Sequence, residues 1–420
     1  MKEDKKISES REYFGPLYPY IVDEEITDID YNGRELWLTD SRNERYVCED
    51  CILPEGFVDQ FTKRIANTVS KPFHKQNPVL EAETDKLRIT AVHESVAISG
   101  RSFCIRKSLP RVRICEDEMI ESGYCSQEML YFLKNCVRSK CNIVVCGEPG
   151  SGKTECAKFF SQFIPENERV ITIEDNPEWH YAKVNPNKDS IELKVNDVMD
   201  YTTAIKTCLR LNPKWMFLSE VRSTEVQYLI EGFSTGVRGI TTLHTDDVRS
   251  VPDRMINMAQ KAKSSDRLEN DIYTFVDVAL LIRRREVTEH NETKVKRFID
   301  QIGIFYRDGK ENHFQMISQD GEILQRELPE YFKKKFAEAG IEDPFFCEED
   351  LRARIEQSAR ELMEEEMRTR MDSKINIREE ESMRKFREDS VRQWLEDVKG
   401  EMYEEIKERG TYMGQKSVVG

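Results

Sequence analysis

The chain has 420 residues and a mass of 49.4 kDa, enough for two or three domains and at least one large core. Its 64 Lys plus Arg against 79 Asp plus Glu leave a formal net charge of −15, which argues against a dedicated nucleic-acid binder, because counterion release needs a strongly basic surface. The best apolar run, at 278–282, is far short of the ~20 residues that span a bilayer, so the chain is expected not to cross a membrane unaided.

The charged start, Met1-Lys-Glu-Asp-Lys-Lys, is followed by no apolar core, and a secretory leader is not expected. Eleven cysteines, an odd number, fit a reducing cytosol. Only Cys48 and Cys51 have ligand spacing, with no second pair or nearby His to complete a tetrahedral set. A polar segment, 1–11, precedes a region at 12–108 of short alternating runs such as Ile29-Asp-Tyr and Leu36-Trp-Leu, with turn signals at Asn32-Gly33 and Ser99-Gly100. That pattern predicts a mixed α/β domain rich in strands. Pro110 and Cys115-Glu-Asp-Glu mark a linker at 109–118. From 119 to 344, apolar strands alternate with helix-length segments, the signature of an α/β layer fold with a mainly parallel sheet. It closes on a hairpin pairing 298–305 with 313–317 across Asp308-Gly309. The last region, 345–420, is dense in charge, has neither Gly nor Pro as far as Lys399, and spaces its apolar residues as a helix does; one or two long helices are expected.

The strongest chemical signal is Gly147-Glu148-Pro149-Gly150-Ser151-Gly152-Lys153-Thr154, which fits G-x-x-x-x-G-K-[ST], follows the apolar run 142–146 and precedes a helix-like run, 155–163. Glycines let backbone N–H groups turn inward around phosphates at a helix N-terminus, where the aligned peptide dipoles favour negative charge. Lys153 is then placed to reach the β- and γ-phosphates and Thr154 to bind Mg²⁺. Such a loop needs carboxylates to hold the metal and to orient water. Trp215-Met-Phe-Leu218-Ser219-Glu220 is an apolar strand ending in an acid. A second run, 170–173, leads into Glu174, Asp175 and Glu178, and a third, from Gly239, ends in His244. The only arginine triplet, Arg283-Arg284-Arg285, reads as a solvated strand end or as a docking site for an acidic protein or lipid surface.

In their order along the chain these parts resemble the type II/type IV secretion ATPases, most closely the tight-adherence-pilus and conjugation branch. The resemblance runs from about Ile26 to Arg307, through Ile26-Thr-Asp-Ile-Asp-Tyr-Asn-Gly33, Leu87-Arg88-Ile-Thr-Ala-Val, Ser99-Gly100-Arg101-Ser102 and Ile105-Arg106-Lys107. It implies a small α/β domain ahead of a RecA-like P-loop domain, and it implies that Gly147 to Thr154 bind ATP. It further implies Glu174, Asp175 and Glu178 as an acidic box, Glu220 as the acid ending the second nucleotide-binding strand, and Arg222 and His244 as catalytic neighbours. Thr154, Asp175 and Glu220 are the implied Mg²⁺ ligands, and Arg88, Arg101 and Arg106 are the first domain's phosphate-reaching arginines. The implied protein is a cytoplasmic Mg-ATPase ring, a hexamer, that drives an inner-membrane platform in secretion, conjugation or pilus assembly without binding nucleic acid itself. Ser219 stands where that family carries Gly, Lys214 where it carries Asp, and Thr245-Asp246 where it carries Ala-Asn. The tail beyond Phe345 has no counterpart in the pattern. Two other classes share the loop: a ring helicase, and a nucleotide-binding scaffold with little hydrolysis.

Overall fold

In a computed structural model the described residues are 7–221, 223, 225–259, 265–289, 292–346 and 390–397. Met1–Phe345 fall in one compact unit and Phe346–Gly420 in a second. Of the second, 390–397 are helical; the rest of the expected tail helices lies outside the described residues.

The first unit contains two sheets. The smaller is wholly antiparallel, in the order β3-β2-β1-β6-β5-β4, built from β1 (Ile26–Tyr31), β2 (Leu36–Asp40), β3 (Arg45–Val47), β4 (Val79–Glu83), β5 (Leu87–Val92) and β6 (Ser102–Lys107). Alternation along the strands buries Ile29, Leu87, Ile89, Phe103 and Ile105 with Phe61 and Ile65 of the helix Phe57–Thr68. The residues in between face the other way. The two turns read from the sequence abut: Gly33 has φ +94°, and a Cβ there would lie 2.5 Å from the Ser99 carbonyl oxygen, so only glycine fits.

The larger sheet has nine strands, in the order β15-β14-β13-β12-β7-β11-β10-β8-β9. Its strands are β7 (Ile143–Gly147), β8 (Val170–Glu174), β9 (Ser190–Lys194), β10 (Trp215–Leu218), β11 (Arg238–Leu243), β12 (Val278–Glu289), β13 (Glu292–Asp308), β14 (Glu311–Gln319) and β15 (Glu322–Ile323). From β12 to β9 every neighbouring pair is parallel. β7, β8 and β10 are buried throughout, which is why they read as unbroken apolar runs. Helices 201–210, 225–234, 251–259 and 265–275 contribute side chains to the main core. β13, β14 and β15 add antiparallel strands at one edge. The expected hairpin is present, with Phe305 opposite Phe314 and Tyr306 opposite His313. A second, longer one, β12 with β13, was not read from the sequence.

Between the two sheets run residues 108–115, after which the helix Glu116–Glu121 begins inside the expected linker. This segment is tied to the larger sheet's elements at both ends. His180 Nε2 lies 2.9 Å from the Ser108 carbonyl oxygen. The backbone N–H of Arg113 donates to Glu155 Oε2 at 3.2 Å, and Lys158 Nζ donates to Glu155 Oε1 at 2.8 Å and to the Leu109 carbonyl at 3.4 Å.

Candidate functional site

Four parallel strands end at one edge, and each delivers a residue singled out in the sequence. β7 runs into the glycine-rich loop, β8 ends at Glu174, β10 is followed by Ser219 and Glu220, and β11 by His244. Carboxyl ends of strands in an open α/β sheet are where ligands bind. Opposite lies the outer face of the smaller sheet. Between them is a cleft of about 640 Å³ whose walls include Gly150, Gly152, Lys153, Thr154, Asp175, Glu178, Glu220 and His244 on one side and Arg88 and Arg106 on the other.

The loop closes tightly against β12. Gly147 has φ +149°, and a Cβ there would lie 2.5 Å from Ser151 Oγ and 2.7 Å from the Ile282 carbonyl oxygen. The helix Lys153–Ser161 starts from Gly152 with no side-chain cap, leaving the N–H groups of its first turn for other acceptors. Lys153 Nζ donates to the Gly147 and Glu148 carbonyls at 3.0 and 2.9 Å and lies 3.3 Å from His244 Nδ1. An ammonium can only donate, so Nδ1 accepts. His244 Nε2 therefore carries the proton it presents to Glu220 Oε1 at 3.1 Å. Burial lowers the pKa of Lys153 to about 8, with Glu220 the largest influence in the other direction.

The acidic box divides its work. Thr154 Oγ1 donates to Glu178 Oε2 at 3.0 Å, and Asp175 lines the cleft beside it. Glu174 does not line the cleft. Its Oε1 accepts the backbone N–H groups of Glu178 and Trp179 at 2.9 and 3.0 Å, so it shapes the turn that presents Glu178, and the expectation that it faces the reaction is corrected. Burial pushes its pKa up to about 8 against the lowering effect of those two N–H groups.

A carboxyl whose proton is held more tightly folded than unfolded contributes stability below the unfolded value, near 4.5, and loses it as pH rises through about 8. Glu174→Gln keeps an acceptor oxygen for both N–H groups and has no proton to lose. Its stability is expected to hold where that of the parent chain falls, a difference on the order of a few kcal/mol at pH 9. Parallel melting profiles from pH 5 to 9 would show that the carboxyl is ionised throughout.

Arg88 on β5 and Arg106 on β6 are cross-strand partners on the face turned to the cleft. Arg101 is not with them. It precedes β6 at the end opposite Arg106, roughly 17 Å away at strand rise. Its side chain is 9% exposed and bound to Asp59 Oδ1 and Glu94 Oε2, each at 2.6 Å, so the expectation that it binds phosphate is corrected. Glu148 points to Arg284, 3.8 Å away, and is not a wall of the cleft. Arg222 lies outside the described residues. Ser219 needs no left-handed backbone; its carbonyl accepts Thr242 Oγ1 at 2.6 Å and its hydroxyl lies 3.5 Å from Tyr201 OH, so a side chain is accommodated where the resembled family carries Gly. Four further arginines line the cleft that sequence reasoning did not place there: Arg45, Arg113, Arg284 and Arg297. The triplet is plain in the sequence, and period-two alternation along a strand is the signal that separates Arg284 from its neighbours.

The model of the family described as type II/IV secretion system protein matches residues 80–301. An uncharacterized protein of Bacillus anthracis is 28% identical over 327 residues, 76% of this chain and 74% of its own length. The type IV secretion system protein VirB11 of Bartonella quintana is 28% identical over 40% of this chain and 50% of its own. The conjugal transfer protein TrbB of Rhizobium radiobacter is 26% identical over 54% and 68%. The chain thus spans half of the first of these two named relatives and two-thirds of the second. Among solved structures the Yersinia pseudotuberculosis ATPase DotB, 13% identical, aligns over 72% of this chain and 81% of its own with a TM-score of 0.51, a likeness of fold. The family match covers more than half of the sequence and takes in Arg88, Arg106, the glycine-rich loop, the acidic box, Glu220 and His244: the chain belongs to the type II/IV secretion system protein family.

Proposed function

We propose that this chain is a Mg²⁺-dependent ATP hydrolase that works as a homo-oligomeric ring, a hexamer, to power a secretion, conjugation or pilus-assembly machine. The observation that carries the reading is the convergence of Lys153, Thr154, Glu178, Glu220 and His244 in one cleft faced by Arg88 and Arg106. The relatives named for type IV secretion and conjugal transfer support the choice of machine.

In this reading Lys153 leaves the two loop carbonyls and donates to the β- and γ-phosphates. Glu220, positioned by the His244 N–H, orients the attacking water and accepts its proton. Arg88 and Arg106 stabilise charge on the transferring phosphoryl group from the opposite wall, and Arg222 is assigned to the same task. The Thr154 hydroxyl and the carboxylates of Asp175, Glu178 and Glu220 are oxygen donors, the class that suits Mg²⁺, which keeps waters and shares phosphate oxygens rather than filling an all-protein cage. When bound there it would neutralise charge on the phosphates. Because Glu155, Lys158 and His180 hold residues 108–113, a shift of the loop helix or of the acidic box reaches the linker directly, and the two sheets move relative to each other. The work passes to the membrane through a platform protein at its cytoplasmic face, with no direct contact to nucleic acid. No helix among the described residues is long and apolar enough to cross a bilayer.

Light scattering on the full chain carrying Glu220→Gln, held with Mg-ATP, is expected to give the mass of six chains. A monomer at every nucleotide concentration contradicts the ring. Phosphate release by the parent chain that is stimulated by single-stranded DNA would move the reading to a ring helicase.

A further inference from the structure

The two strands of the β12–β13 hairpin place Arg284 directly opposite Arg297. Side chains at such a pair leave the same face of the sheet, and both line the cleft. Their neighbours leave the other face: Arg283 pairs with Asp300 at 2.6 Å, and Arg285 lies over the Phe298 ring at 4.9 Å. Arg284 and Arg297 therefore form a cationic pair by register, separate from the rest of the triplet.

Like charges directly opposite on a sheet repel, and the surroundings offset this little. Arg297 Nη1 donates to the Ser41 carbonyl at 3.3 Å, while its Nε is buried with no hydrogen-bond partner among the described residues. Arg284 has Glu148 at 3.8 Å, beyond hydrogen-bond reach. Burial lowers the pKa of Arg297; Tyr124 and Asp40 act against that, and Arg284 and Arg113 act with it. An arginine pair left in this condition suits an anion that is not part of the chain.

The position says which part of an anion. A Cβ on Gly150 would lie 3.7 Å from Arg284 Nη1, and one on Gly152 would lie 3.6 Å from Arg297 Cδ. Both arginines pack on the backbone that cradles the α- and β-phosphates in a loop of this kind, away from the reach of its lysine to the β- and γ-phosphates. We infer that Arg284 and Arg297 form a subsite for the α-phosphate of the bound nucleotide, a second arginine pair facing Arg88 and Arg106 across the same cleft. The inference rests on the proposal that the cleft binds ATP.

An α-phosphate contact is shared by ATP and ADP. Arg284→Gln and Arg297→Gln in the full chain are each expected to weaken equilibrium binding of both nucleotides by about tenfold or more and to a similar extent. Arg297→Lys is expected to restore part of the loss, since it keeps the charge but not the fork. Melting temperature without nucleotide should be unchanged or raised in both Gln variants, because repulsion is relieved. Unchanged affinity in both, a loss confined to ATP, or a fall in nucleotide-free melting temperature that accounts for the loss would each overturn the subsite. A parent chain that binds neither nucleotide, or a Lys153→Ala chain that binds as well as the parent, would instead bring down the ATP site itself and the subsite with it.

Discussion

Glu220→Gln is expected to lower the rate of ATP hydrolysis by at least about a hundredfold while leaving ATP binding nearly intact. The substitution keeps size and shape and retains an oxygen to accept the His244 Nε2 proton, now 3.1 Å from Glu220 Oε1. What it removes is the capacity to accept a proton from water, a contribution of roughly 10²- to 10⁴-fold for a positioned general base. The loss should therefore appear in kcat, with affinity for ATP little changed. Near-normal turnover would exclude Glu220 from the reaction and make Glu178, bonded to Thr154 Oγ1 at 3.0 Å, the leading carboxylate.

Lys153→Ala is expected to act on binding as well as on turnover. The ammonium is the cation deepest in the glycine-rich loop, held at 3.0 and 2.9 Å by two carbonyls that it can exchange for phosphate oxygens. Loss of charge-assisted hydrogen bonds of this kind weakens binding by about tenfold to a hundredfold, and phosphate release should fall to background. The pH dependence has a definite sign. Burial lowers the pKa of Lys153 to about 8, so the group is charged below that value and loses its charge above it. ATP affinity in the parent chain is expected to decline as pH rises through about 8, and calorimetry in buffers of different ionisation enthalpy should show proton uptake on binding there. An affinity flat to pH 9 would mean that the lysine stays charged in the cleft or does not meet the phosphates.

The parts of this site that were legible from sequence are those whose chemistry and secondary structure are contiguous. The loop from Gly147 to Thr154 sits between a strand and a helix, and both the motif and its context occupy one stretch of chain. Glu220 and His244 were legible because parallel strands buried on both faces appear as uninterrupted apolar runs, and the residue that ends such a run is at the sheet edge. Glu174 and Glu178 show the first limit. Both are acids after the same strand, and only the turn at 174–180, with His180 at φ +46°, decides which carboxylate faces the loop and which is spent on backbone N–H groups. Arg101 shows the second: it and Arg106 are five residues apart, but they lie at opposite ends of one strand. Arg284 and Arg297 show the third. Their meeting depends on hairpin register across thirteen residues of chain, and an arginine triplet has the same composition whether its middle member enters a cleft or faces solvent.

The central claim is that the cleft bearing Lys153, Glu220 and His244 hydrolyses ATP. Single-turnover release of phosphate from ATP by the purified full chain, followed with and without Mg²⁺ and beside Lys153→Ala, tests it most directly. Release is expected to require Mg²⁺ and to be absent from the variant. Release that continues undiminished in Lys153→Ala, or a parent chain that binds Mg-ATP and never cleaves it, would contradict the claim.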